Sequence, residues 1–180
     1  MKFTMTTVLA AALTTMVSGA AIEKRDALPA KFTLTSTSTG LDGLIYPTLM
    51  YANSSAYIGN IKYSTYSESL DLTSGGDGAS FQSFHSSPTG SQRLYVYPTE
   101  SKPIGFTVPH SAAVPTGAVT TGITQEGGLF AVNGISGSWK ACKVDESKVQ
   151  GTWQLYWDGA GTLEAEGCVA VNITVAESSC

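Results

Sequence analysis

The chain has 180 residues, of which 13% are charged, and a formal net charge of −4. Acidic, scattered charge with no basic patch makes a poor polyanion binder and argues against nucleic acid as a partner. The length suits one domain with a single sizeable core.

From the N-terminus, Lys2 precedes the apolar run VLAAALTTMV, which closes on the small residues Ser18, Gly19, Ala20 and Ala21. This pattern predicts a secretory signal peptide over 1–20. The run is too short to span a bilayer, and the other apolar stretches are strand-length, so no membrane-spanning segment is expected. The dibasic pair Lys24-Arg25 then reads as a processing site ending a short propeptide, 21–25, with a secreted domain over 26–180. Removing 1–25 leaves seven basic and thirteen acidic residues, a net charge of −6.

Within 26–180, short alternating runs predict strands. Phe32 and Leu34 share a face in KFTLTST, and Ile104, Phe106 and Val108 share one in IGFTV. In QRLYVYP, Leu94 and Val96 lie opposite Tyr95 and Tyr97. Gly/Ser/Asn/Asp-rich breakers at 40–43, 74–78, 86–90, 133–134 and 158–159 supply turns. About ten strands joined this way predict an all-β antiparallel sandwich or barrel. Three Leu-led openings, GLIYPTL at 43–49, RLYVYPT at 93–99 and GLFAVNG at 128–134, keep a β-trefoil as the alternative. The segment 110–122, rich in small residues and Pro, reads as a long surface loop.

The C-terminal third holds all three tryptophans and all three cysteines. Asn133-Gly134 and Asp158-Gly159 suit type I′ turns, predicting a meander of consecutive strands. Trp153, Leu155 and Trp157 share one face, which favours the core over a sugar platform; with Trp139 they form the predicted core aromatics. Tyr156, together with Tyr95 and Tyr97, is the candidate sugar-stacking surface. In the last strand Val169, Val171, Ile173 and Val175 share a face opposite Ala170, Asn172 and Thr174. Cys142, Cys168 and Cys180 allow one disulfide, and spacing alone leaves three pairings open. Asn53-Ser-Ser and Asn172-Ile-Thr are N-glycosylation sequons.

A catalytic constellation is not evident. His85 and His110 lie near no nucleophile motif, and the spacing matches no zinc or calcium site, so neither metal nor cofactor is expected. Glu164 and Glu166, with Asp158 nearby, are the carboxylates a glycoside hydrolase would need, but they read as a solvated strand face beside a turn.

The block GGLFAVNGISGSWKACKV, followed by GTWQLYWDG, GCVAVNITV and a final Cys, resembles the PhiA-like cell-wall proteins of filamentous fungi. ASFQSFHSSPTGSQRLYVY, 79–97, looks like the same family's A-x-F and L-Y-x-Y strands. The resemblance is most specific over 127–180; cysteines expected nearer the mature N-terminus are absent here. It implies a small secreted protein of phialide and conidium development, with IgE-binding relatives and no catalytic residues. The expectation is thus a non-enzymatic secreted wall glycoprotein, with wall polysaccharide or other wall proteins as partners. A carbohydrate-binding protein of the wall surface and an apoplastic effector are the alternatives. VAESSC has no hydrophobic tail for a lipid anchor, so wall attachment is expected to be non-covalent, glycan-mediated or through Cys180.

Overall fold

The structure is a computed structural model that describes residues 26–38, 41, 47–59, 61, 67–85, 90–144, 152–163 and 167–178. The signal peptide, the Lys24-Arg25 site, Glu164, Glu166 and Cys180 lie outside the described residues.

The described chain is all-β. Its strands are β1 (Lys31–Ser36), β2 (Leu49–Ala52), β3 (Ser55–Ile58), β4 (Glu68–Ser69), β5 (Asp71–Gly75), β6 (Gly78–Gln82), β7 (Ser91–Tyr95) and β8 (Ser101–Pro103). There follow β9 (Gly105–Phe106), β10 (Ile123–Glu126), β11 (Leu129–Val132), β12 (Trp139–Lys143), β13 (Trp153–Asp158), β14 (Cys168–Ala170) and β15 (Ile173–Glu177). Every ladder is antiparallel, in the order β10-β11-β15-β1-β5-β6-β7-β9-β3-β13-β12-β14, with β2 and β4 attached through β3 and with β8 on β13.

Two residues, Val171 and Asn172, separate β14 at one end of this path from β15 near the other. The same stretch of chain therefore belongs to both ends, and the sheet must curl. Thr37 N–H donates to the Asn172 carbonyl at 3.0 Å and Ser38 Oγ to the Ala170 carbonyl at 3.2 Å, joining the chain after β1 to this crossing. The result is a half-barrel, as the barrel-like expectation requires. Among the described residues the trefoil alternative has no counterpart: Leu94 sits in β7 between β6 and β9, Leu129 opens β11 between β10 and β15, and these surroundings do not repeat.

Alternation decides what the curl encloses. Phe32, Leu34, Leu72, Phe81, Leu94 and Val96 pack with Trp139, Trp153, Leu155, Trp157, Val171 and Ile173 in one buried cluster. Each buried aromatic removes about 150–250 Å² from water, which makes these rings the largest single contributors to the core. Trp139 is fully buried, stacks on Phe130 at 5.3 Å, meets Trp157 edge-on at 4.8 Å and donates its Nε1–H to the Phe130 carbonyl at 2.7 Å. Among the polar side chains that enter the interior is Gln92, 1% exposed, which accepts the Tyr51 hydroxyl on Oε1 at 2.9 Å, while its Nε2 has no partner.

Local turns follow their residues. Asn133 and Gly134 both have positive φ, 53° and 78°, and close a Val132–Ile135 bridge as a two-residue turn. The predicted meander is corrected, however. After that turn β12 leaves β11 for the other part of the sheet, and β13 and β14 flank β12 on opposite sides. Hence Asp158-Gly159 is no hairpin turn, and Gly159 is not among the residues with positive φ. Glycine is required there because a Cβ would collide with the Pro98 carbonyl oxygen. Val108 also departs from its predicted face: the strand ends at Phe106, and Val108 is 67% exposed. The 110–122 segment runs as the expected loop, tied to the sheet by a Val96–Val119 bridge and by Arg93 Nη2 donating to the Ala112 carbonyl at 2.9 Å.

Candidate functional site

The strands that bury the tryptophans also build an outer face. Because Leu94 and Val96 point inward, Tyr95 and Tyr97 point out; because Trp153, Leu155 and Trp157 point inward, Gln154 and Tyr156 point out. Registers place these side chains in columns. Tyr95 is opposite Gly105 across β7–β9, Tyr156 is opposite Pro103 across β8–β13 and opposite Lys140 across β12–β13, and Gln154 is opposite Cys142. Tyr95 and Tyr156 thus flank the 103–105 segment.

Gly105 decides how Tyr95 lies. A Cβ at this position would overlap the phenol Oη and Cζ, so only glycine lets the ring end rest on the strand. Such rescue of a strand glycine by a neighbouring aromatic holds a flexible position and fixes the ring. Tyr97 packs edge-on against Tyr95, with centroids 5.9 Å apart at 88°. The Lys102 ammonium sits 4.3 Å from the Tyr97 ring centroid and pairs with Glu100 at 2.7 Å. Burial, and then the proximity of Tyr97, push the Tyr95 hydroxyl pKa up; the Glu100 hydrogen bond raises that of Lys102.

At the edge of this face Asp158 is 7% exposed. It accepts the Ser101 hydroxyl, Thr162 N–H at 2.9 Å and Leu163 N–H at 3.3 Å. Burial alone would raise its pKa, but the Ser101 hydroxyl, those two N–H groups and Lys140 together hold it below the ordinary carboxylate range. These bonds anchor the loop after β13 to the end of that strand. His85 is exposed and His110, with φ of 61°, lays its ring beside Gly90.

Cys142 and Cys168 are directly opposite in the β12–β14 ladder and form a disulfide on the same outer face. This selects one of the three pairings that the sequence left open. Gln154 Nε2 donates to Ser55 Oγ at 3.0 Å, and Ser55 Oγ to the Ile104 carbonyl at 2.7 Å, joining β13, β3 and the 103–105 segment. Both sequon asparagines are exposed. Asn53 and Ser54, with φ of 48° and 57°, form the two-residue β2–β3 turn, while Asn172 lies between β14 and β15.

No family model, curated protein or solved structure matches the chain. Among the described residues no group of three or more His, Cys, Asp or Glu is placed to hold a metal, and no helix is long and apolar enough to cross a membrane. The three tyrosines that alternation singled out do share one outer face; the three tryptophans, 0 to 3% exposed, lie on the inner one. What sequence reasoning missed is Gly105, the seat of Tyr95, and the Lys102–Glu100 pair. Gly105 meets Tyr95 only across the β7–β9 ladder, and Lys102 reaches Tyr97 across the turn that Glu100 N–H closes on the Tyr97 carbonyl at 3.3 Å.

Proposed function

We propose that the protein is a secreted, non-enzymatic glycoprotein of a filamentous-fungal cell wall, acting in wall structure or conidium development. The observation that carries this reading is the Cys142–Cys168 disulfide, since such bonds form and persist in oxidising, extracellular compartments. Exposed asparagines in both sequons agree with it, because a glycan needs a solvent-facing attachment point. The C-terminal motifs that resemble PhiA-like proteins supply the wall and the developmental setting. The engagement of Asp158 in loop anchoring supports a role through surfaces in place of a reaction centre.

The test is to express the full chain with an internal epitope tag in a filamentous fungus and to fractionate cytosol, wall and medium. The expected result is wall and medium protein beginning at Asp26, a blocked Cys142–Cys168 pair, and a glycan mass shift removed by N53Q with N172Q. Cytosolic protein with free thiols and no glycan would overturn it.

A further inference from the structure

We infer that the outer face around the 103–105 segment is a stacking platform for an uncharged, extended wall polysaccharide, with Tyr95 and Tyr156 as its two rings. The inference rests on the wall setting proposed above and adds the ligand class and the residues that take it.

Geometry carries the first step. Tyr95 rests its ring end on Gly105 and is braced edge-on by Tyr97, so its orientation is set before any ligand arrives. Preorganisation of this kind reduces the ordering cost of binding. Tyr156 stands on the far side of the same segment, opposite Pro103. The two rings are therefore on strands two spacings apart, about 10 Å laterally. That separation exceeds a single sugar ring and suits an oligosaccharide lying across the strands. Neither hydroxyl has a hydrogen-bond partner among the described residues, so both can serve sugar hydroxyls.

Charge carries the second step. Lys102 is paired with Glu100, and Lys140 is close enough to Asp158 to favour its ionised form. Lys102 is thus balanced by a carboxylate and Lys140 lies near another, while Arg93, exposed two residues before Tyr95 on the same face, donates to the Ala112 carbonyl. Such a face offers aromatic area and hydrogen bonds with little excess charge, which suits a neutral glycan better than an acidic polymer or an anionic membrane. Tyr97, with the Lys102 ammonium over its ring, is a positioning residue for Tyr95 and not a third stacking surface.

The experiment titrates soluble β-glucan and chitin oligosaccharides into the secreted, disulfide-intact protein by calorimetry, at low and high salt. Expected is saturable, salt-insensitive binding of one of them, weakened about tenfold, equivalent to about 1.4 kcal/mol, in both Y95A and Y156A. Y95F should keep at least half of the affinity. Gly105→Ala should behave as Y95A does, and where it fails to fold the two tyrosine variants decide alone, each checked for native near-ultraviolet dichroism. Unchanged affinity in Y95A and Y156A, binding seen only at low salt, or no binding of either oligosaccharide would each overturn the platform. Wall-localised protein that binds neither sugar would sink this inference and leave the wall reading standing; sugar binding by a protein absent from the wall would do the reverse.

Discussion

Replacing Cys142 and Cys168 together by Ala should cost a large fraction of the stability of the fold. The bridge spans a sequence separation of 26 residues. The loop-closure relation gives about 3.5 kcal/mol for a ring of this size at 25 °C. At about 2–4 °C per kcal/mol for a chain of this length, the melting temperature should fall by about 7–14 °C. The location adds a local effect. β14 ends the strand path on the β12 ladder, so without the bridge that short ladder and the Ser38 hydroxyl on the Ala170 carbonyl hold it among the described residues. Urea unfolding followed by tryptophan fluorescence is the assay, because Trp139 and Trp157 are in the core next to these strands. Hydrogen exchange at 168–171 should accelerate beyond the global change. A loss below about 1 kcal/mol would refute the entropic argument, and the same loss in C180S would contradict the pairing.

Further outcomes follow from the core and the loop anchors. Trp139→Ala should cost about 3–5 kcal/mol, read as a fall in the urea midpoint. Trp139→Phe should cost about 1–3 kcal/mol, since it leaves the buried Phe130 carbonyl without its donor. Gln92→Leu alone strands the Tyr51 hydroxyl and should destabilise by about 1–3 kcal/mol, whereas Q92L with Y51F removes donor and acceptor together and should recover most of that loss in the same titration. Asp158 ionises below the ordinary carboxylate range, so its contribution is complete above the unfolded pKa of about 4 and is lost as the pH falls below it. Melting curves from pH 7 to about pH 2 should therefore drop more steeply below pH 4 for the wild type than for D158N. An equal slope would remove Asp158 from the acid response.

Faces were legible in the sequence and neighbours were not. Period-two alternation told inside from outside at Leu94, Tyr95 and Val96 and again from Trp153 to Trp157, because a curled sheet buries one side of every strand. Asn133-Gly134 announced its turn through the residue pair that tolerates two positive φ values. Asn53-Ser54 makes a turn with the same signs and passed unnoticed, since a serine with φ of 57° carries no glycine to flag it. Pairing escaped for a different reason. Alternation is identical whether β13 lies beside β14 or, as here, on the other side of β12, and only tertiary packing chooses. The same blindness hid Gly105 beneath Tyr95, ten residues away in the chain and adjacent only across the β7–β9 ladder.

In the proposed role β13 divides its work, with Trp153 and Trp157 holding the fold and Tyr156 meeting the wall. The most direct test is the retention of the Y95A/Y156A double variant on isolated fungal wall, measured beside the wild type at matched folded fractions. The double variant should melt within a few degrees of the wild type and show retention reduced at least tenfold, the change that about 1.4 kcal/mol produces. Retention equal to the wild type, with the fold intact, would contradict it.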